Sequence, residues 1–180
     1  MRFAVIVLLP ALLLAQSPQT DITGIPESHG VYYHAPSGWI GLPANPLLPF
    51  EDGNVRQLLG FGRSPAVAEI PGPHAAVQIP TTRPVFHLRG YQPNIAIYLV
   101  RETQKLDYRE IRMPIVSDMH NWARFRTQDL VEFNLTPGPN GITSLTPKAD
   151  MKPGEYAIVS QIEPQMRGIR VSFDFGIQAR

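Results

Sequence analysis

Five histidines, eight serines and fifteen acids are the side chains from which this 180-residue chain would build catalytic or metal chemistry. Cysteine is absent, which excludes disulfides, thiolate nucleophiles, cysteine zinc sites and a lipidated N-terminal cysteine. His29 and His34 are five apart, an odd separation that sends them to opposite faces of a strand. His74, His87 and His120 fall among loops and strand ends. Two or three imidazoles meeting in space could ligate a metal, but surface or hydrogen-bonded structural histidine is the favoured reading at each position. No metal site and no cofactor are expected. Acyl transfer needs a positioned Ser, His and acid, and the chain has no Gly-x-Ser-x-Gly elbow. Gly60-Phe61-Gly62 starts like a dinucleotide fingerprint, but Pro65 stands at the third glycine. Glu51-Asp52 reads as a solvated turn, whereas Glu155 and Asp174 fall on neighbouring strands. A retaining glycosidase pair would need carboxyls about 5 Å apart beside a sugar cleft. No residue is assigned as catalytic.

Aromatic side chains offer a second kind of chemistry, stacking on sugars or peptides. Trp39, Trp122, Tyr32 and Tyr33 are the candidates. Trp39 and one of the tyrosines read as core. Trp122 lies in the polar run Asp118-Met119-His120-Asn121-Trp122-Ala123-Arg124, so Trp122, His120 and Arg124 form the candidate ligand surface, with loop anchoring by Trp122 as the alternative. Arg101, Arg109 and Arg112 alternate with Glu102, Asp107 and Glu110. Across a hairpin this reads as cross-strand ion pairing on a solvated face.

The elements that must position these side chains are short. Nineteen prolines in 180 residues is about twice the usual share, and proline interrupts helices. Short runs of Val, Ile, Tyr and Phe bounded by Pro and Gly predict an all-β sandwich or barrel. Val31–His34 and Trp39–Leu42 read as a hairpin about the turn Ala35-Pro36-Ser37-Gly38. Pro43 to Pro73 reads as a long irregular insertion with six prolines, one helical turn at Asn54–Leu59 and a short strand at Ala66–Ile70. Ala75–Ile79, Val85–Leu88, Asp107–Met113, Leu130–Leu135, Ile142–Leu145 and Glu155–Ile162 read as further strands, and Ser117–Thr127 as a polar stretch with room for a short helix. Ile95–Val100 is apolar on both faces and reads as a central strand. Ile169–Ile177 alternates strictly, which predicts Val171, Phe173 and Phe175 in the core and Arg170, Ser172 and Asp174 in water.

The first fifteen residues have the order of a secretory signal: Arg2, an apolar run from Ala4, then Ala15 before a polar stretch. Cleavage after Ala15 is expected, an uncleaved anchor being the alternative. Residues 16–28 read as a flexible leader and 29–180 as one β-sandwich domain. Arg2 is the one charge in residues 1–15, so the remainder carries 15 basic and 15 acidic side chains. That balance argues against nucleic acid and against a polybasic membrane surface.

Pro153-Gly154-Glu155-Tyr156 places a Tyr at a strand start just after a glycine corner. It resembles the tyrosine corner of immunoglobulin-like sandwiches, although Ile158 stands where the second cysteine would be. Tyr156, Gly154, Phe173 and Phe175 are accordingly read as structural. Gly30-Val31-Tyr32-Tyr33 before Trp39, Arg83-Pro84-Val85-Phe86, Ile97-Tyr98-Leu99-Val100-Arg101, Pro153-Gly154-Glu155-Tyr156-Ala157 and Phe173-Asp174-Phe175-Gly176-Ile177 occur in series. Together they resemble a family of exported bacterial β-rich proteins without an assigned activity. The resemblance implies a secreted β domain and carries over no catalytic residue. The expected fold is an antiparallel β-sandwich, immunoglobulin-like or related. The expected function is a non-enzymatic binding or structural module of the envelope, periplasmic or extracellular, whose partner is a protein, peptide or glycan. A hydrolase acting on cell-wall or extracellular polymer is the alternative.

Overall fold

The computed structural model describes residues 22–47, 66–93, 95–113, 115–116, 122–123, 125–161 and 170–178. The expected signal, the first part of the leader and the Asn54–Leu59 turn lie outside them. In chain order the strands are β1 (Gly30–Ala35), β2 (Gly38–Gly41), β3 (Ala44–Leu47), β4 (Ala66–Pro71), β5 (Gln78–Ile79), β6 (Phe86–Arg89), β7 (Ile97–Arg101), β8 (Thr103–Gln104), β9 (Tyr108–Met113), β10 (Ile115–Val116), β11 (Trp122–Ala123), β12 (Phe133–Pro137), β13 (Ile142–Pro147), β14 (Gly154–Gln161) and β15 (Arg170–Ile177). No α-helix occurs among the described residues, as the proline density predicts. The Ser117–Thr127 stretch contributes β11, and a short 3-10 turn, Thr127–Asp129, begins at its end.

Three antiparallel sheets carry the fold, in the orders β12-β13-β6-β1-β2, β3-β15-β14-β7 and β4-β9-β8, with β10 and β11 as a separate two-stranded ribbon. Among the described residues one parallel pairing occurs, joining β5 to β15. The β1–β2 hairpin closes where Ala35 pairs with Gly38, so Pro36 and Ser37 form the turn. Gly38 has φ +117°, a backbone state that glycine adopts without Cβ strain.

The β3-β15-β14-β7 sheet is the middle layer. One of its faces, carrying Leu99, Tyr156, Ile158 and Phe175, packs with Val31, Tyr33, Phe86, Leu88 and Leu145 of the first sheet. The opposite face, carrying Leu47, Val100, Ala157 and Val159, packs with Ala68, Ile70 and Ile111 of the β4-β9-β8 sheet. This arrangement overturns the assignment of Asp174 and Ser172 to water: they are 2 % and 0 % exposed. The inward placement of Phe175 holds, whereas Phe173 and Val171 are only half-buried. Alternation distinguished the two faces of β15 correctly, but a second sheet covers the polar one.

Ile95–Val100 departs from its predicted place as well. Leu99 and Val100 are buried on opposite faces, yet β7 ends its sheet. Leu130 and Val131 cover its free edge, through the Val100–Leu130 bridge and a 2.8 Å bond from Val131 N–H to the Leu99 carbonyl. The Tyr156 hydroxyl donates to the Lys152 carbonyl at 2.7 Å while its ring stacks on Phe175, centroids 5.9 Å apart. The phenol thus caps a backbone carbonyl four residues upstream.

Candidate functional site

Two constellations stand out. The first lies where the β4-β9-β8 sheet meets the middle layer. Ile70 and Arg109 are register partners, so the inner face of this sheet runs from apolar side chains to a guanidinium that is 2 % exposed. Arg109 Nε donates to Glu102 Oε2 at 2.8 Å, Nη2 donates to Asp174 Oδ2, and Nη1 donates to the Gly72 carbonyl at 2.7 Å. Asp174 Oδ1 accepts from Asn45 Nδ2 at 2.6 Å. Glu155, two residues from the Asp174 partner Ala157 on β14, accepts from the Ala75 backbone N–H at 2.9 Å and lies 3.0 Å from His74 Nδ1. Gln78 reaches both oxygens of Glu155 at 3.5 Å. Three buried acids thus gather here, Glu102 and Asp174 bonded to one buried arginine and Glu155 held beside them with His74, its side chain 64 % exposed, at the rim. The expectation of a solvated arginine face fails at Arg109. Arg112 is half-buried on the other side of β9, but its partner 3.1 Å away is Glu110 of the same strand, so the expected cross-strand pair is not formed there.

Glu102 is the odd member. Its Oε1 has no hydrogen-bond partner among the described residues. Burial pushes its carboxyl up to about 8; Arg109 opposes the rise, and Asp174 and Glu155 add to it. The ionised form is therefore disfavoured at neutral pH.

The second constellation is the outer face of the first sheet. Strand register puts Trp39 beside His34, Tyr32 beside His87, His87 beside Ser144, Ser144 beside Thr136 and Thr146 beside Asn134. Trp39 lies between two imidazoles, with centroids 4.6 Å from His34 and 5.1 Å from His87. Its indole N–H donates to the Thr23 carbonyl at 2.9 Å, and Ile22 and Ile25 pack beside it over Tyr32 and Ile142. His34, Asn134 and Thr136 are exposed, and Trp39, Ser144 and Thr146 are half-buried. His87 is fully buried, and desolvation, reinforced by His34, lowers its pKa. Ser144 Oγ lies 3.2 Å from His87 Nδ1.

Searches against protein-family models, curated proteins and solved structures return no match. The chemistry of the two constellations is therefore the ground for a functional reading. Of the predicted ligand surface, His120 and Arg124 lie outside the described residues, and Trp122 is placed by its backbone alone, opposite Val116 in the ribbon. His34 and His87 come together around Trp39, and His29 lies against Gly90 at the end of β6. No group of three or more His and acidic residues suited to a metal ion occurs among the described residues. Glu155 and Asp174 do sit on adjacent strands, as read from the sequence, but as buried members of the arginine cluster.

The sequence reading missed the Glu102–Arg109–Asp174 network. One signal was present: Asp174 stands between Phe173 and Phe175 in an apolar stretch of β15. A carboxylate in such a place is rarely fully buried unless paired, so its burial demands a cation.

Proposed function

We propose that this protein is an exported, non-enzymatic binding module of the bacterial envelope, and that it meets a neutral glycan on the outer face of its first sheet. The observation that carries the reading is the composition of that face. Its strands present an indole flanked by imidazoles at the β1–β2 end and hydroxyl and amide groups at the β12–β13 end. Arg89 is the one Lys, Arg, Asp or Glu among the described strand residues facing that way. Aromatic rings suit the apolar faces of sugars, and Ser, Thr and Asn supply both donors and acceptors for hydroxyls. Export rests on the Met1–Ala15 pattern, and the immunoglobulin-like relationship on the Tyr156 corner.

The alternative, a polymer hydrolase, would draw on the Ser144–His87 pair or on the carboxylate cluster. Both are enclosed: His87 is 0 % exposed and Asp174 2 %. The binding reading is the better supported for that reason.

Affinity electrophoresis through gels containing neutral polysaccharides tests the proposal. At least one polysaccharide should retard the wild type, and Asn134→Ala and Thr136→Ala, both at exposed positions, should each lose the retardation while keeping the wild-type melting curve. Retardation unchanged in both variants overturns the assigned face. Release of reducing ends by the wild type that Ser144→Ala abolishes favours the hydrolase instead.

A further inference from the structure

We infer that the Glu102–Arg109–Asp174–Glu155 cluster is a proton-operated latch that docks the β4-β9-β8 sheet onto the middle layer: closed while Glu102 keeps a proton, loosened once it is lost. The inference is independent of the glycan reading and begins with a count of donors. Asp174 accepts from Arg109 and Asn45, one to each oxygen. Glu155 accepts from the Ala75 N–H, with His74 and Gln78 also beside it. Both are supplied as carboxylates. Glu102 has one donor, Arg109 Nε, and a bare Oε1 among the described residues. A buried anion with one oxygen unsatisfied costs more than a neutral acid in the same place, so of the three Glu102 is the one that keeps a proton.

The groups facing it come from every neighbouring element. Arg109 reaches it from β9, Asp174 from β15 and Glu155 from β14. Asn45 from β3 and Gln78 from β5 bond those carboxylates, and His74, 3.5 Å from Gln104 of β8, closes the rim. Glu110, with Tyr108, Lys105 and Arg112, forms a separate group on the far face of β9. With Glu102 neutral, Arg109 pairs with one buried carboxylate, that of Asp174. With Glu102 ionised it pairs with two, and Glu155 adds its charge to theirs. The excess negative charge sits between two layers whose other contacts are Ala68, Ile70, Ile111, Val100, Ala157 and Val159. Relief comes by admitting water, and water enters by parting those layers.

Hydrogen exchange of the full chain at pH 6 and pH 9, corrected for the intrinsic pH dependence of exchange, reads the latch. Amides of 66–71 and 103–113 should lose at least tenfold in protection at pH 9 relative to those of β6 and β13, and Glu102→Gln should hold its protection at both pH values. Equal protection at the two pH values, an equal loss in β6 and β13, or a loss that Glu102→Gln leaves intact overturns the latch. If Glu102→Gln does not fold, carboxyl 13C titration of the wild type decides. The Glu102 carboxyl should titrate above pH 7. A Glu102 midpoint below 5.5, or a high midpoint belonging to Glu155 or Asp174 instead, overturns the assignment.

Discussion

Arg109 ties together elements that are distant in sequence. It joins β9 to β15, to Glu102 and to the carbonyls after β4. Removing one partner from a buried charged network leaves the others desolvated without compensation, which costs about 3–5 kcal/mol. Arg109→Met should therefore lower the unfolding free energy by about that much in urea melts at pH 7. Arg112→Met, which breaks a half-exposed pair with Glu110, should cost at most about 1 kcal/mol. Equal losses in the two variants would refute the distinction. At this scale the sequence is an incomplete guide. Arg109 and Arg112 occur in the same alternating charged run, and residue type alone does not say which side of β9 a second sheet will cover. Three residues apart on a strand, they point to opposite faces, and that much could be read. The cover supplied by β14 and β15, distant in sequence, could not.

The elements themselves were more legible than their neighbours. The hairpin about Pro36-Ser37 and the strands β4, β6, β9, β13, β14 and β15 fall within a residue or two of their predicted places, because Pro and Gly punctuate them. Ala44–Leu47 gave no such signal: Pro46 lies within it, tolerable because β3 is an edge strand paired with β15 alone. The strand β15 shows how alternation misleads. It has neighbours on both sides and layers on both faces, so its polar residues had to be paired rather than hydrated. Its two phenylalanines also differ. Phe175 is fully buried, 4.5 Å between centroids from Phe86 and stacked on Tyr156, whereas Phe173 lies at the partly exposed edge of the same core. Phe175→Ala should cost about 3–5 kcal/mol, and Phe173→Ala clearly less, as read from paired denaturation midpoints. A larger loss at Phe173 would mean that the core is centred elsewhere.

At the scale of the whole molecule, two buried groups on opposite sides of the middle layer set how stability responds to pH. His87, beneath Trp39, has a folded pKa below the ordinary imidazole value of 6.5. A base depressed in this way contributes stability above 6.5 and loses it as pH falls toward the folded value, because the unfolded chain takes up the proton first. Glu102 acts in the other direction. Its carboxyl is raised from 4.5 to about 8, so its contribution is whole below 4.5 and declines as pH climbs through 8, where the folded chain also releases the proton. Where both windows overlap, below 6.5, the two slopes have opposite signs and oppose each other. Above 6.5 the histidine is neutral in both states and Glu102 acts alone. Unfolding free energy should then fall by about 1.4 kcal/mol for each pH unit, a tenfold change in the folding constant, until the decline ends near 8. Urea melts at half-unit steps from pH 5.5 to 9 should show a shallow region followed by that fall. Glu102→Gln should flatten the upper part and unmask, below 6.5, the rise of stability with pH that His87 gives by itself. Stability that stays level between 6.5 and 8 in the wild type would mean that Glu102 is already ionised in the folded chain and that Arg109 compensates both carboxylates it bonds.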